Sequence, residues 1–206
     1  MTYSSDSEQT SDLLDRVAGG SKSAMEELLQ LYRPYLRRLV SARISPELKR
    51  RVDPSDVIQD AQLAIASRIN DFLERRPTSF RIWIRRKALQ LLVDYERRHI
   101  VAKKRSVRRE KYVADSSVAI ARVLVSDTPS KILRRNELQK QIREAIDQLE
   151  SSDRDILALR HAEGLSNAEA ADLLDLTPNT ARQRYGRALR RLHQELARIG
   201  VELDGA

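Results

Sequence analysis

The chain has 206 residues, no cysteine, six glycines, six prolines and 4% aromatics, so it can hold neither a disulfide frame nor a thiolate metal site. Charged residues make up 33% of it and the formal net charge is +8, a balance suited to a polyanionic partner, either nucleic acid or an acidic membrane surface. No apolar run approaches the roughly 18–20 residues of a bilayer span, and the opening MTYSSDSEQTSD lacks the basic and apolar stretches of a secretion signal; the expectation is a soluble, cytoplasmic, all-α protein.

Residues 1–19 read as an N-terminal extension. Ser23 with Glu26 has the spacing of a capping box, in which a serine oxygen takes an orphan N–H and a glutamate reaches back. Behind it Leu28, Leu31, Tyr32, Tyr35, Leu36 and Leu39 recur at helical spacing, and Pro34 is expected to kink or divide that helix. Asp53 and Pro54 then mark an N-cap followed by proline at the first helical position. Val57, Ala61, Ala64, Arg68 and Phe72 form the apolar stripe of this helix, the arginine contributing its stem. FLERRPTSF, Phe72 to Phe80, reads as a loop.

Ser79 caps a long helix, FRIWIRRKALQLLVDYERRH, with Phe80, Ile84, Ala88, Leu91 and Tyr95 along one side. From Arg97 to Lys111 eight basic residues face one acid, Glu110, a net +7 over fifteen positions. Either DNA backbone or bulk water can accept such a run. VADSSVAIARVLVSDTP, to Pro129, is a linker that divides two helical domains. Beyond it Leu133, Leu138, Ile142, Ala145, Ile146 and Leu149 make one helix, and Ser152 opens another that Gly164 should stop.

Ser166 and Glu169 form a further capping box, starting a short helix that ends near Leu174. Asp175, Leu176 and Thr177 make the turn, with Leu174 and Leu176 as core residues and aspartate where a left-handed residue is needed. Thr177 caps the next helix, with Pro178 at its first position and the small Ala171 at the helix crossing. Two helices joined so tightly form a helix-turn-helix, whose second helix lies in the DNA major groove. At roughly 100° per residue, Ala181, Tyr185, Ala188, Leu189 and Leu192 share one face of that helix. Gln183, Arg184, Arg187, Arg190 and Arg191 share the opposite face, with Arg182 near the border. Guanidinium forks suit phosphate oxygens and guanine edges, and Asn179, Thr180 and Gln183 sit at the end that approaches the bases. A solvated basic face on a bundle helix is the plainer alternative.

Together, RVDPSDVIQDAQLAIASRINDF, SFRIWIRRKALQLLVDYERR and IDQLESSDRDILALRHAEGLSNAEAADLLDLTPNTARQRYGRAL resemble bacterial sigma factors, the small extracytoplasmic-function (ECF) group of the sigma-70 family above all. The resemblance implies a sigma-2-like domain over 20–105, a linker over 106–130 and a sigma-4-like domain over 131–206. It also implies core RNA polymerase as partner, through the β′ clamp and the β flap, with promoter DNA and, as often in the family, an anti-sigma factor. Asp56, Gln59 and Asp60 would meet the clamp, although Asp60 stands where the family has glutamate and Ala61 where it has threonine. Arg81, Trp83, Arg85, Arg86, Lys87, Gln90, Arg97 and Arg98 would open and read the −10 element. Gln90 replaces the usual asparagine, and Trp83 suits either core packing or base contact. Asn179, Thr180, Arg182, Gln183, Arg184, Arg187 and Arg190 would read the −35 element.

No enzymatic site is expected, and no metal or cofactor. His99, His161 and His193 are far apart, and there is neither a phosphate-cradling glycine loop nor a nucleophile elbow. Two rivals remain at this level: a stand-alone helix-turn-helix regulator that ignores polymerase, and a DNA recombinase.

Overall fold

The computed structural model describes residues 6–99, 120–121 and 132–201, all strand-free. It divides into two compact units, Met1–Ser106 and Val107–Ala206. The expected linker, apart from residues 120–121, and the basic run beyond His99 lie outside the described residues.

In the first unit, α1 (Glu8–Ala18) packs on α2 (Lys22–Arg43) through Leu13, Leu14 and Val17. The first nineteen residues are therefore not merely an extension, because α1 belongs to the core of this unit. The start of α2 also differs from expectation. Ser21, not Ser23, is the N-cap: its Oγ accepts from Ala24 N–H at 3.3 Å, while Ser23 Oγ lies 3.1 Å from Ser21 Oγ inside the first turn. Gly20, at φ +86°, turns the chain sharply enough for the helix to begin this early. Pro34 does not divide α2. Proline removes one backbone hydrogen bond, but Leu28, Tyr35, Leu36 and Leu39 on both sides of it are buried in one core, which holds the helix continuous.

After the single turn of α3 (Pro46–Lys49), Asp53 caps α4 (Pro54–Ser67), its Oδ1 accepting from Ser55 N–H at 2.7 Å. The buried stripe of α4 is Val57, Ile58, Ala61 and Ile65, not the expected line through Ala64 and Arg68, which are half-buried and exposed. A new helix, α5 (Ile69–Arg75), follows at once and buries Ile69 and Phe72, so only 76–79 of the expected loop is non-helical. Ser79 begins α6 (Phe80–His99), its Oγ accepting from Ile82 N–H at 3.4 Å. Leu92, rather than Leu91, occupies the α6 core stripe. Helices α2, α4 and α6 contact one another pairwise, and Tyr32, Phe72, Phe80 and Trp83 form an aromatic cluster with ring centroids 5.1–5.8 Å apart.

In the second unit, α7 (Ile132–Asp147) buries Ile142, Ala145 and Ile146, and α8 (Ser151–Leu157) runs on into a π-helical turn, Ala158–Ala162. Gly164, at φ +67°, ends it. Helices α9 (Asn167–Leu174) and α10 (Pro178–Arg198) complete the unit, with α7, α8 and α9 all packed on α10. No described helix is long and apolar enough to cross a membrane.

Candidate nucleic-acid interface

The start of α9 is fixed by a complete capping box: Glu169 N–H donates to Ser166 Oγ at 3.1 Å, and Ser166 N–H donates to Glu169 Oε2 at 2.6 Å. Asp175 ends the helix in the left-handed region, φ 54° and ψ 48°, where an L-residue other than asparagine, aspartate or glycine is strained. Leu176 N–H donates back to the Ala171 carbonyl at 2.9 Å. Thr177 Oγ1 then accepts from Thr180 N–H at 3.2 Å and opens α10 behind Pro178. Ala170 and Ala171 are fully buried, which lets α9 and α10 approach closely. Leu174 and Leu176, expected in the core, are only half-buried.

On α10, Ala181, Ala188, Leu192 and Leu196 are buried. Asn179, Thr180, Arg182, Gln183, Arg187 and Arg190 are exposed, and no acidic residue occurs between Pro178 and Gln194. Two arginines depart from the expected comb. Arg184 is half-buried, its Nε fully covered. Arg191 is turned inward: its Nη1 lies 2.7 Å from Asp153 Oδ2, a carboxylate wholly inaccessible to solvent, and 3.3 Å from Glu150 Oε1. The hydrogen bond to Asp153, with the Coulomb attraction of the same carboxylate and then of Glu150, pushes the Arg191 guanidinium further up.

Behind the basic face of α10, Tyr185 Oη lies 2.9 Å from His161 Nε2, and the Arg160 guanidinium sits 5.0 Å from the Tyr185 ring centroid. His161 is thus half-buried rather than a surface residue, and burial, then the nearby Arg160 charge, pulls its pKa down.

In the first unit, Asp56 and Gln59 are exposed on α4, while Asp60 accepts a 2.6 Å hydrogen bond from Tyr95 Oη. That bond, followed by burial, pushes the Tyr95 phenol up to about 12. Beside this polar set, one turn on from Gln59 and Asp60, Leu63 is 68% exposed. Sequence periodicity passed over Leu63 because it lies off the apolar stripe, which is the signal that could have singled it out.

The α6 residues divide. Arg86, Gln90, Arg97 and Arg98 are exposed, while Arg81, Arg85 and Lys87 are half-buried. The Arg81 guanidinium lies 4.5 Å from the Tyr35 ring centroid, Gln90 Nε2 donates to Asp94 Oδ1 at 3.3 Å, and Arg98 lies over Tyr95 at 4.8 Å. Trp83 is only 8% exposed. It packs against Phe72 and Phe80, with Lys87 Nζ 5.5 Å from its ring centroid, so it belongs to the core of this unit.

Residues 139–192 match the family described as sigma-70, region 4, a span that takes in α9, the turn and the basic face of α10. Across 88% of the chain, it is 27% identical to the ECF RNA polymerase sigma-E factor of Haemophilus influenzae, covering 93% of that protein. Over the same share it is 26% identical to RNA polymerase sigma-H factor of Pseudomonas aeruginosa, covering 90% of that one. Along most of its length the chain is thus similar to RNA polymerase sigma factors, and in its second unit to region 4 of the sigma-70 family.

Its function is accordingly that of a sigma factor in promoter-specific transcription initiation with core RNA polymerase, and neither the stand-alone regulator nor the recombinase finds support among the relatives. The fold agrees: a solved structure of CnrH in complex with the cytosolic domain of CnrY superposes with a TM-score of 0.52 at 22% identity, over 92% of this sigma factor and 98% of that chain. At the sequence level the sigma factor is 27% identical to CnrH of Cupriavidus metallidurans, over 87% of its own length and 90% of that protein.

Proposed function

We propose that this sigma factor divides promoter recognition between its two units, the second reading duplex −35 DNA and the first gripping polymerase and capturing the opened −10 region. The observation that carries the reading is the acid-free, exposed face of α10 (Asn179, Thr180, Arg182, Gln183, Arg187 and Arg190), held by a helix-turn-helix whose caps are all satisfied. Arg187 and Arg190 supply phosphate affinity and Asn179, Thr180 and Gln183 supply base discrimination. Arg184 contributes from a half-buried position that limits its reach.

On α4, Asp56 and Gln59 meet the β′ clamp, and the exposed Leu63 adds an apolar anchor one turn away. Asp60 serves there only with its Tyr95 bond intact or exchanged. On α6, Arg86, Gln90, Arg97 and Arg98 meet the −10 strands directly; Arg81, Arg85 and Lys87 line their partly covered side; Trp83 supports them from the core. The β flap engages the second unit. The protein works in the cytoplasm without catalysis of its own, and the solved complex of CnrH with the cytosolic domain of CnrY supports an anti-sigma partner.

Mixing the purified protein with core enzyme and a random-sequence DNA library, then mapping transcript starts, tests the proposal. Transcripts from DNA sharing spaced −10 and −35 motifs are expected. Failure to bind core, or starts without a shared motif, would refute it.

A further inference from the structure

The N-terminal segment reaches the loop between α5 and α6 at both of its ends. At the first, Arg76 closes α5 with a left-handed backbone, φ 36° and ψ 56°, a conformation that a β-carbon disfavours. Its guanidinium donates to Asp15 Oδ1 on α1 at 2.6 Å. At the second, the first N–H of α6, on Phe80, donates to both oxygens of Asp6, at 2.9 and 3.0 Å. The loop 76–79 is thus pinned on either side by carboxylates more than sixty residues earlier in the chain.

The pinning element is itself seated firmly. Leu13, Leu14 and Val17 bury α1, and Arg16 donates to Glu27 Oε1 on α2 at 3.1 Å. A hydroxyl relay links Ser7 to the buried Thr10 at 2.9 Å and Thr10 to Tyr32 at 3.0 Å. Tyr32 in turn meets Phe80 edge-on, with ring centroids 5.1 Å apart.

From this geometry we infer that residues 6–18 act as a strap that presets the 76–79 loop, making Asp6 and Asp15 positioning residues for capture of the −10 strand. The inference rests on the proposed −10 role of α6 and its preceding loop. A surface that receives an unstacked strand binds more tightly when its loop is already ordered, because the ordering cost is then not subtracted from the contact energy. The acidic charge of Asp6 and Asp15 suits a role in holding the loop and argues against direct contact with DNA. Asp6 also occupies the N-terminus of α6, completing a cap for which Ser79 alone supplies one bond.

The test uses holoenzyme and a fluorescent single-stranded −10 oligonucleotide taken from promoters that the wild-type holoenzyme selects from random DNA. Asp6→Ala should weaken capture about threefold to tenfold, the usual effect of losing a cap, and Asp6→Asn, which keeps an acceptor, should restore most of it. Asp15→Arg should weaken capture about twofold to fivefold, as for an exposed pair, and the swap Asp15→Arg with Arg76→Asp should recover it. Melting temperatures, expected to stay close to wild type because the pair is exposed, separate positioning from a general loss of stability. Unchanged oligonucleotide affinity in Asp6→Ala and Asp15→Arg would overturn the strap. If Arg86→Ala weakens capture while those two variants do not, the strap alone fails; if Arg86→Ala also leaves capture intact, the −10 reading fails with it.

Discussion

Arg190 and Arg191 are adjacent and chemically identical, yet they have different surroundings. Arg191→Ala removes the cation from the inaccessible Asp153 carboxylate. A wholly buried charge left without its partner costs about 3–5 kcal/mol, but the Arg191 side chain is 40% exposed, so its truncation also admits water to Asp153. Asp153 further stands in the first turn of α8, where the helix dipole favours a carboxylate, and the cost falls to about 1–2 kcal/mol. Glu150, 70% exposed, contributes little to the pairing. For a unit of this size about 1 kcal/mol moves the midpoint by about 4–8 °C, and the second unit should melt about 4–16 °C lower. Arg190 is exposed and only folds back onto the Gly186 carbonyl at 3.3 Å. Arg190→Ala should therefore leave the melting temperature nearly unchanged and weaken binding to all DNA, flattening the dependence of log affinity on log salt by about 0.9 for the one phosphate no longer neutralised. Calorimetry of the free protein and salt titrations of holoenzyme on −35 duplexes read both quantities. Equal melting temperatures for the two variants, or a flattened salt slope from Arg191→Ala at wild-type stability, would refute this allocation.

Gln183→Ala should reorder preference among −35 variants, weakening binding to the best sequence by about 1–3 kcal/mol if the side chain makes a bidentate bond to a base; a uniform decrease across a binding panel would assign Gln183 to the backbone instead. Tyr95 is pushed up to about 12 by its bond to Asp60 and by burial, so the fold favours the neutral phenol. Its contribution to stability is complete below pH 10 and is lost between about pH 10 and 12; phenolate absorbance should show Asp60→Asn bringing the titration back toward pH 10. His161 shifts the other way, lowered by burial and then by Arg160, so the unfolded chain binds its proton first. Stability from this residue is present above about pH 6.5 and is lost on acidification. The melting temperature should fall between pH 7 and 5, and less steeply in His161→Gln.

The parts of the fold written in neighbouring residues were legible. The Ser166–Glu169 box, left-handed Asp175 and the Thr177–Pro178 start are each set by side chains within three or four positions of the backbone they satisfy, so sequence spacing and structure coincide. What depended on distant partners was not. Residues 8–18 carry three buried aliphatic side chains among mostly polar neighbours, too sparse a stripe to mark a helix; α2 and the 76–79 loop hold it in place. Pro34 shows the converse, a local breaker overruled by core packing on both sides. The Ser23–Glu26 spacing matched a capping box, but the Gly20 turn delivered Ser21 to the cap first.

The candidate site divides along the same line. A helical wheel finds the face of α10 that avoids leucine, but it sorts residues by angle and cannot register which acid lies on a packed neighbour. Arg191 falls within about 40° of Arg187 on the wheel, and only the approach of α8 pairs one with a buried acid while the other stays in water. Trp83 illustrates this for an apolar group: its single-copy rarity invited a base-stacking role, while Phe72 and Phe80 draw it into the core. Asp60 does so for a carboxylate, since Tyr95 lies thirty-five residues away. In a chain this rich in charge, residue type fixes what a side chain can bind, but the tertiary neighbour fixes whether it is still free to bind it. The exposed subset of arginines, rather than the net charge of +8, is therefore the quantity that should scale with DNA affinity.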